Sequence, residues 1–238
     1  IERYYFTNLS LKDGLSQITV TCVYQDKKGF MWFGTRNGLN RYDGYKFDTY
    51  ILRPGSTSSI SDNHVLCIAE DSDGNLWVGT NHVLNKLELS TGRVQQYFFE
   101  EGNTKSLSNN MVLSLCSDEK GNIWVGTNSG LNRYDSSSDS FIRIGLNGVL
   151  QKNPIYGLAY KNDKLFLGTY VRGLIEYYIP EERLSELKDS PVHIRTVFVD
   201  HLDNLWTGTQ DRGVFLLKKD RDSFVVYDTD KGLTNNYV

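Results

Sequence analysis

The sequence predicts an all-β protein, a β-propeller of four-stranded antiparallel blades, and three observations carry the prediction. A short aromatic-x-Gly-Thr phrase occurs five times: Trp32-Phe33-Gly34-Thr35, Trp77-Val78-Gly79-Thr80, Trp124-Val125-Gly126-Thr127, Phe166-Leu167-Gly168-Thr169 and Trp206-Thr207-Gly208-Thr209. The intervals are 45, 47, 42 and 40 residues, a period typical of units that must stack to bury their apolar faces. Within each unit, short β-rich runs alternate with Gly, Asn and Asp turns, and helical periodicity is absent throughout.

The first unit shows the order of elements. Val20–Asp26 forms a first strand, a Lys27-Lys28-Gly29 turn follows, and Phe30–Thr35 forms a second strand. An Arg36-Asn37-Gly38 turn leads to Leu39–Tyr42, and an Asp43-Gly44 turn leads to Tyr45–Tyr50. The second strand is nearly all apolar, as expected of a strand covered on both faces. Glycine after the aromatic predicts a close approach of backbone to a neighbouring blade. Identical register of Trp32, Trp77, Trp124 and Trp206 predicts core packing rather than exposed sugar platforms.

The repeat divides the chain into an outer strand of a closing blade (1–12), five complete blades (13–50, 51–98, 99–144, 145–187 and 188–228) and the start of a sixth (229–238). The expected object is an open or incomplete ring with bare edges that favour dimerisation. Turns between first and second strands begin with Asp26, Asp71, Asp118 and Asp200. They resemble calcium loops and sialidase Asp boxes only in part: the distal Glu of a calcium loop is missing, and Asp/Gly is what a tight hairpin demands.

At 238 residues, 39% hydrophobic and 23% charged, the composition is that of a globular domain. Net charge is −3 and basic residues form no runs, which argues against nucleic acid and against direct contact with an anionic membrane. No apolar stretch approaches the length of a membrane helix, and the first residues lack a charged-then-apolar leader. Cys22 and Cys67 lie ten residues before their tryptophans, where Ser114 and Thr196 stand in other units, so they read as small packed strand residues. Neither they nor Cys116 form a Cys-x-x-Cys or Cys/His metal pattern. No metal site and no cofactor is expected.

Loops that vary on a repeated frame are where recognition is expected. The lead-in loops and the turns between second and third strands emerge on one face, and they offer Arg36, His64, His82, Asn110, Tyr170, Arg172, His193, Gln210, Asp211 and Arg212. Such groups hydrogen-bond sugar hydroxyls, and arginine grips a carboxylate or sulfate with two donors. The fourth and fifth units each add one residue here, giving Tyr170-Val171-Arg172 and Gln210-Asp211-Arg212, so this sector is favoured. Each Asn or Asp alone is more readily a turn former than a ligand-binding group. A lyase or hydrolase would draw a base from His82 or His193 and an acid from Asp211, but no Gly-x-Ser-x-Gly, His-Glu-x-x-His or P-loop pattern is present.

Asp13-Gly14-Leu15-Ser16, then Asp26-x-x-Gly29-x-x-Trp32-x-Gly34-Thr35-x-x-Gly38-Leu39-x-Arg41-Tyr42-Asp43-Gly44, resembles the two-component regulator propeller repeat. The third unit (Gly121–Asp135) and the linkers Arg53–Ser61 and Glu101–Ser108 resemble it as well. The resemblance implies a non-catalytic periplasmic sensor region of a membrane-anchored hybrid histidine kinase/response regulator. It further implies an oligosaccharide ligand, control of glycan-utilisation genes, and a homodimer. The fourth and fifth units depart from the pattern, with Phe166 for Trp and with Leu174–Tyr177 and Val214–Leu217 for Leu-x-Arg-Tyr. A propeller enzyme and a purely structural spacer are the alternatives.

Overall fold

Twenty strands form five four-stranded antiparallel sheets in a computed structural model that describes residues 7–56, 58–145, 148, 150, 152–220 and 223–238. The expected outer strand at Tyr4–Phe6 lies outside the described residues. Blade 1 comprises β1 (Val20–Gln25), β2 (Met31–Thr35), β3 (Gly38–Tyr42) and β4 (Phe47–Tyr50). Blade 2 comprises β5 (Val65–Glu70), β6 (Leu76–Thr80), β7 (Leu84–Leu87) and β8 (Val94–Tyr97). Blade 3 comprises β9 (Val112–Ser117), β10 (Ile123–Thr127), β11 (Gly130–Asp135) and β12 (Ser140–Ile144).

Blade 4 comprises β13 (Ile155–Lys161), β14 (Lys164–Thr169), β15 (Leu174–Tyr178) and β16 (Arg183–Glu186). Blade 5 comprises β17 (Ile194–Val199), β18 (Leu205–Thr209), β19 (Val214–Leu217) and β20 (Phe224–Tyr227). Among the described residues, helix is confined to single 3-10 turns such as Leu11–Asp13 and Thr229–Lys231. The first strands of successive blades are neighbours, β1 to β5 to β9 to β13 to β17.

The core lies between blades. Trp32 and Tyr50 of blade 1 meet Val65, Ile68 and Val78 of blade 2, and Trp77 and Tyr97 meet Val112, Leu115 and Phe141 of blade 3. Trp124 meets Ile155, Leu158 and Leu167, and Phe166 and Leu174 meet Ile194, Val197 and Leu205. Trp32, Trp77 and Trp124 are at most 1% exposed, so the indoles are core. Each buries its polar edge on the turn aspartate: Trp32 Nε1 donates to Asp26 at 2.8 Å, Trp77 to Asp71 at 2.9 Å and Trp124 to Asp118 at 3.1 Å.

The other oxygen of Asp26 accepts the Lys28 and Phe30 amides. The carboxylate is thus consumed by its own hairpin and indole.

A glycine stands two residues after each aromatic because a first-strand side chain of its own blade (Cys22, Cys67 or Ser114 in blades 1 to 3) and the next blade both crowd that point. A Cβ on Gly34 would lie 2.7 Å from Val65 Cγ1, and one on Gly79 would lie 2.6 Å from Val112 Cγ1. Burial pushes the Cys22 thiol up to about 12 and Cys67 and Cys116 well up also, which keeps all three protonated and unreactive. The two ends of the series differ. Val23 is 55% exposed, whereas its counterparts Ile68, Leu115, Leu158 and Val197 are 7 to 9% exposed. At the other end, Val238 stands against Gly208 as Val65 stands against Gly34, and its amide donates to Thr209 O at 2.9 Å.

Buried asparagines tie the lead-in loops to the third strands. Asn40, Asn85 and Asn132 accept the Ser16, Ser61 and Ser108 amides at 3.0, 2.9 and 2.9 Å. Each also donates back to a second-strand carbonyl. In blades 4 and 5 the same register positions hold Ile175 and Phe215, so those lead-in loops are held differently.

Candidate functional site

Every first strand carries a β-bulge at its second residue: Thr21, Leu66, Leu113, Tyr156 and Arg195. A bulge takes one side chain out of the strand's alternation and re-aims it. The flanking residues repeat (Val or Ile before, a small residue after), while the bulged residue changes from blade to blade. In blades 4 and 5 it is large and polar, and here the loop-face residues converge.

The Arg195 guanidinium lies 4.5 Å from the Tyr156 ring centre and 5.4 Å from that of Tyr170. Its Nη2 donates to Gln210 Oε1. Its buried Nε has no hydrogen-bond partner among the described residues. Tyr170 stacks on His193, with ring centres 4.4 Å apart and planes 25° from parallel. His193 Nδ1 pairs with Asp211 Oδ2 at 2.9 Å. The backbone braces the group: the His193 amide donates to Tyr170 O at 2.7 Å, and the Gln210 amide donates to His193 O at 2.9 Å. His193 holds a left-handed φ of +56°, an uncommon conformation outside glycine.

Of the residues expected to bind, the structure brings Tyr170, His193, Gln210 and Asp211 together and adds Tyr156 and Arg195. Arg172 turns elsewhere: its Nη1 pairs with Glu186 Oε1 on β16 at 2.7 Å. The Arg212 guanidinium lies 5.7 Å from the Phe215 ring centre, on β19. The reason is local. Arg172 and Arg212 each donate their amides to Thr169 and Thr209 Oγ1 beside a glycine that closes the turn, and their side chains leave from the outer side of that turn.

Elsewhere on this face the expected residues are divided among blades. His64 Nδ1 bonds Asn81 Nδ2 at 2.7 Å and His82 Nδ1 bonds Asp62 Oδ2 at 2.8 Å, both within blade 2. Asn110 Oδ1 accepts the Phe99 amide and holds the lead-in loop of blade 3, as Asn63 does for Leu52 in blade 2. Arg36 is exposed in blade 1. Asp211, the acid of the lyase alternative with His82 or His193 as its base, is bonded to His193. Among the described residues, no group of three or more His, Cys, Asp or Glu could hold a metal ion, and no helix is long and apolar enough to cross a membrane.

Tyr156 and Arg195 were missed by sequence reasoning because they sit inside a strand. The available signal was the variable residue between a conserved-type Val or Ile and a small residue in successive units, which marks the bulge.

The cluster can receive a ligand with apolar faces and hydroxyl or acidic groups. Two tyrosines and an imidazole offer ring faces, while a guanidinium, an amide and a carboxylate offer hydrogen bonds.

Known proteins share parts of this geometry. The profile described as a two-component regulator propeller matches residues 14–37, 59–82 and 106–129, in blades 1 to 3, where the Asn–Ser ties occur. The extracellular domain of a hybrid two-component system from B. thetaiotaomicron is similar with TM-score 0.80 and 25% identity, over 92% of this chain and 31% of that one. A histidine kinase of Formosa agariphila is 45% identical over 58 residues, 24% of this chain and 4% of that protein. Virginiamycin B lyase from Staphylococcus aureus, at 14% identity and TM-score 0.67 over 87% of this chain and 69% of that one, shares the fold.

The chain spans about a third of the length of the extracellular domain it matches. Five four-stranded blades are in place, and the first three carry repeats that match the two-component regulator propeller profile.

Proposed function

We propose that this chain is the ligand-sensing part of a hybrid two-component signalling protein, and that the Tyr156–Tyr170–His193–Arg195–Gln210–Asp211 cluster is where its ligand binds. One observation carries the reading: a buried guanidinium nitrogen without a partner (Arg195 Nε) lies beside stacked rings on the face where loops vary. Buried polar groups are ordinarily paired, so a ligand that accepts this hydrogen bond gains more than one bound at an exposed turn.

The ligand class is an oligosaccharide released in glycan breakdown. Sugar rings stack on Tyr156 and Tyr170, hydroxyls meet Gln210 and Asp211, and an acidic substituent meets Arg195. The whole protein is membrane-anchored with its sensor in the periplasm, works as a homodimer, and regulates glycan-utilisation genes through its kinase. Signalling then requires that ligand bind two arrangements of that dimer with different affinity. The chain itself does no chemistry.

Thermal-shift and calorimetric titration with acidic and neutral oligosaccharide fragments tests this. A sensor is stabilised without consuming the glycan, and absence of binding by the full ectodomain refutes the reading. A second reading rests on His193 and Asp211, since an imidazole oriented by a carboxylate is a competent general base. Consumption of the fragment, lost in His193→Ala, would establish an enzyme instead.

A further inference from the structure

Blade 4 breaks the indole–aspartate pattern, and a pocket stands in its place. The other four blades join their first two strands by a hairpin whose aspartate, Asp26, Asp71, Asp118 or Asp200, receives the indole N–H. Where the other blades leave five residues between these strands, blade 4 leaves two, Asn162 and Asp163, with left-handed φ of +50° and +59°, the signature of a two-residue type I′ hairpin. It therefore has no latch aspartate, and Phe166 replaces the indole.

The residue opposite the aromatic also changes. In blades 2 and 3 it is a cation over the indole: Lys86 Nζ is 5.4 Å from the Trp77 ring centre and the Arg133 guanidinium 5.7 Å from that of Trp124. In blade 4 it is Glu176, paired in register with Phe166 and bonded to Lys164 at 3.1 Å.

The resulting cleft between blades 4 and 5 has a volume of about 260 Å³. It lies at the first-to-second-strand turns, whereas the candidate sensing cluster involves the lead-in loops and the second-to-third-strand turns. Its wall is apolar, with Phe166, Leu187, Leu205 and Leu217. Its rim is cationic, with Lys161, Lys164, Lys218 and Lys219.

Two carboxylates face these four ammonium groups. Asp203 is shared by Lys161 at 2.9 Å and Lys219 at 2.6 Å, and Glu176 takes Lys164. Lys218 makes no hydrogen bond or ion pair among the described residues. The rim thus has an excess of two positive charges, on a chain whose net charge is −3.

We infer that this pocket binds a small aromatic acid, its ring against Phe166 and Leu205 where the other blades seat an indole, and its carboxylate at Lys218. The volume falls below the usual range of about 300–1,000 Å³ for ligand pockets, so one or two fused rings fit and an oligosaccharide does not. An apolar wall rewards the ring, and a lysine without a protein partner rewards the charge. The site is separate from the proposed sensing cluster and stands or falls independently of it.

Isothermal titration of the chain with indole-3-acetate tests the assignment, with indole-3-ethanol as the uncharged probe. For a probe of this size the expected Kd is on the order of 1 mM. The alcohol should bind at least about tenfold more weakly, the scale of one desolvated charge-assisted contact.

Phe166→Trp places an indole in the pocket and should abolish binding. Lys218→Glu, an exposed change that leaves the wall intact, should weaken binding about tenfold or more and carries the test should Phe166→Trp fail to fold. No saturable binding of the acid, equal binding of the alcohol, or binding unchanged in Lys218→Glu overturns the inference.

Discussion

The Arg195 guanidinium stacks over Tyr156 of the preceding blade at 4.5 Å, and both are bulge residues of their strands. A bulge repeated in all five blades thus converts an invariant scaffold position into a variable one, and in blades 4 and 5 it pairs a cation with a ring. Arg195→Ala removes the guanidinium and its bond to Gln210. The expected cost to oligosaccharide affinity is about tenfold to a hundredfold, the scale of one or two charge-assisted hydrogen bonds. Arg172→Ala, which breaks only the ion pair with Glu186, should leave affinity within about twofold, as the rim contact it loses is solvent-exposed. Calorimetric titration of both variants decides the assignment; equal effects would sink it.

Asn85→Ala tests the tie between lead-in loop and third strand. The fully buried carboxamide accepts the Ser61 amide at 2.9 Å and donates to Val78 O at 3.3 Å. Truncation leaves the part-buried Ser61 amide without its acceptor and removes the side-chain bond to Val78 O. The expected loss is about 2 kcal/mol, seen as a fall in Tm of roughly 6 °C for a chain of this size. Substitution of Asn63, whose side chain accepts only the half-exposed Leu52 amide, should cost less in the same melt.

The repeat made most of this scaffold readable. Aromatic, glycine and threonine recur because an indole must fill each seam, a Cβ cannot fit beneath the next blade, and a hydroxyl must close the turn, as Thr35 Oγ1 does on Gly38 O. These are demands of local sequence, so local sequence displays them. The loop face was legible for the same reason, and of the residues expected there Tyr170, His193, Gln210 and Asp211 lie together.

Side-chain direction was not legible. Arg172 and Arg212 lie on the right turns but leave on the outer side, toward Glu186 and Phe215. Arg195 was hidden because its aim is set by a register shift with β18, a property of two strands together and not of either alone.

Gly79→Ala separates steric cost from backbone freedom. Gly79 carries no left-handed φ, but an added methyl would clash with Cys67 Sγ of its own blade and sit 2.6 Å from Val112 Cγ1 of the next. The expected loss is about 1–3 kcal/mol from overpacking. Trimming the next-blade obstacle in Gly79→Ala/Val112→Ala should make the two changes non-additive, since the residues share one contact, while the clash with Cys67 Sγ remains. Gly29, with φ of +90° and open space around its Cβ, should respond through backbone strain alone and show no such coupling. Denaturant melts of the five proteins, wild type included, make the comparison. Additive effects at Gly79 and Val112 would show that the seam relaxes around the methyl.

The Trp206–Asp200 latch predicts a signature in acid. The indole donates to Asp200 Oδ2 at 2.9 Å, and this bond, with those from Asn204 and Leu202, holds the carboxyl well below the usual carboxylate range. A carboxyl depressed in the folded chain contributes stability that is fully present above its unfolded pKa of about 4. That contribution is lost as pH falls through the folded value. Trp206→Phe removes the indole donor and keeps an aromatic ring, the pairing that Phe166 presents in blade 4. The stability gap between wild type and Trp206→Phe should therefore be largest above about pH 4 and narrow steadily below it. What persists at the acid limit is the packing difference between indole and phenyl. Denaturant melts at intervals from neutral pH to strong acid measure that gap directly, and a gap that stays constant with pH would mean the indole contributes by packing alone.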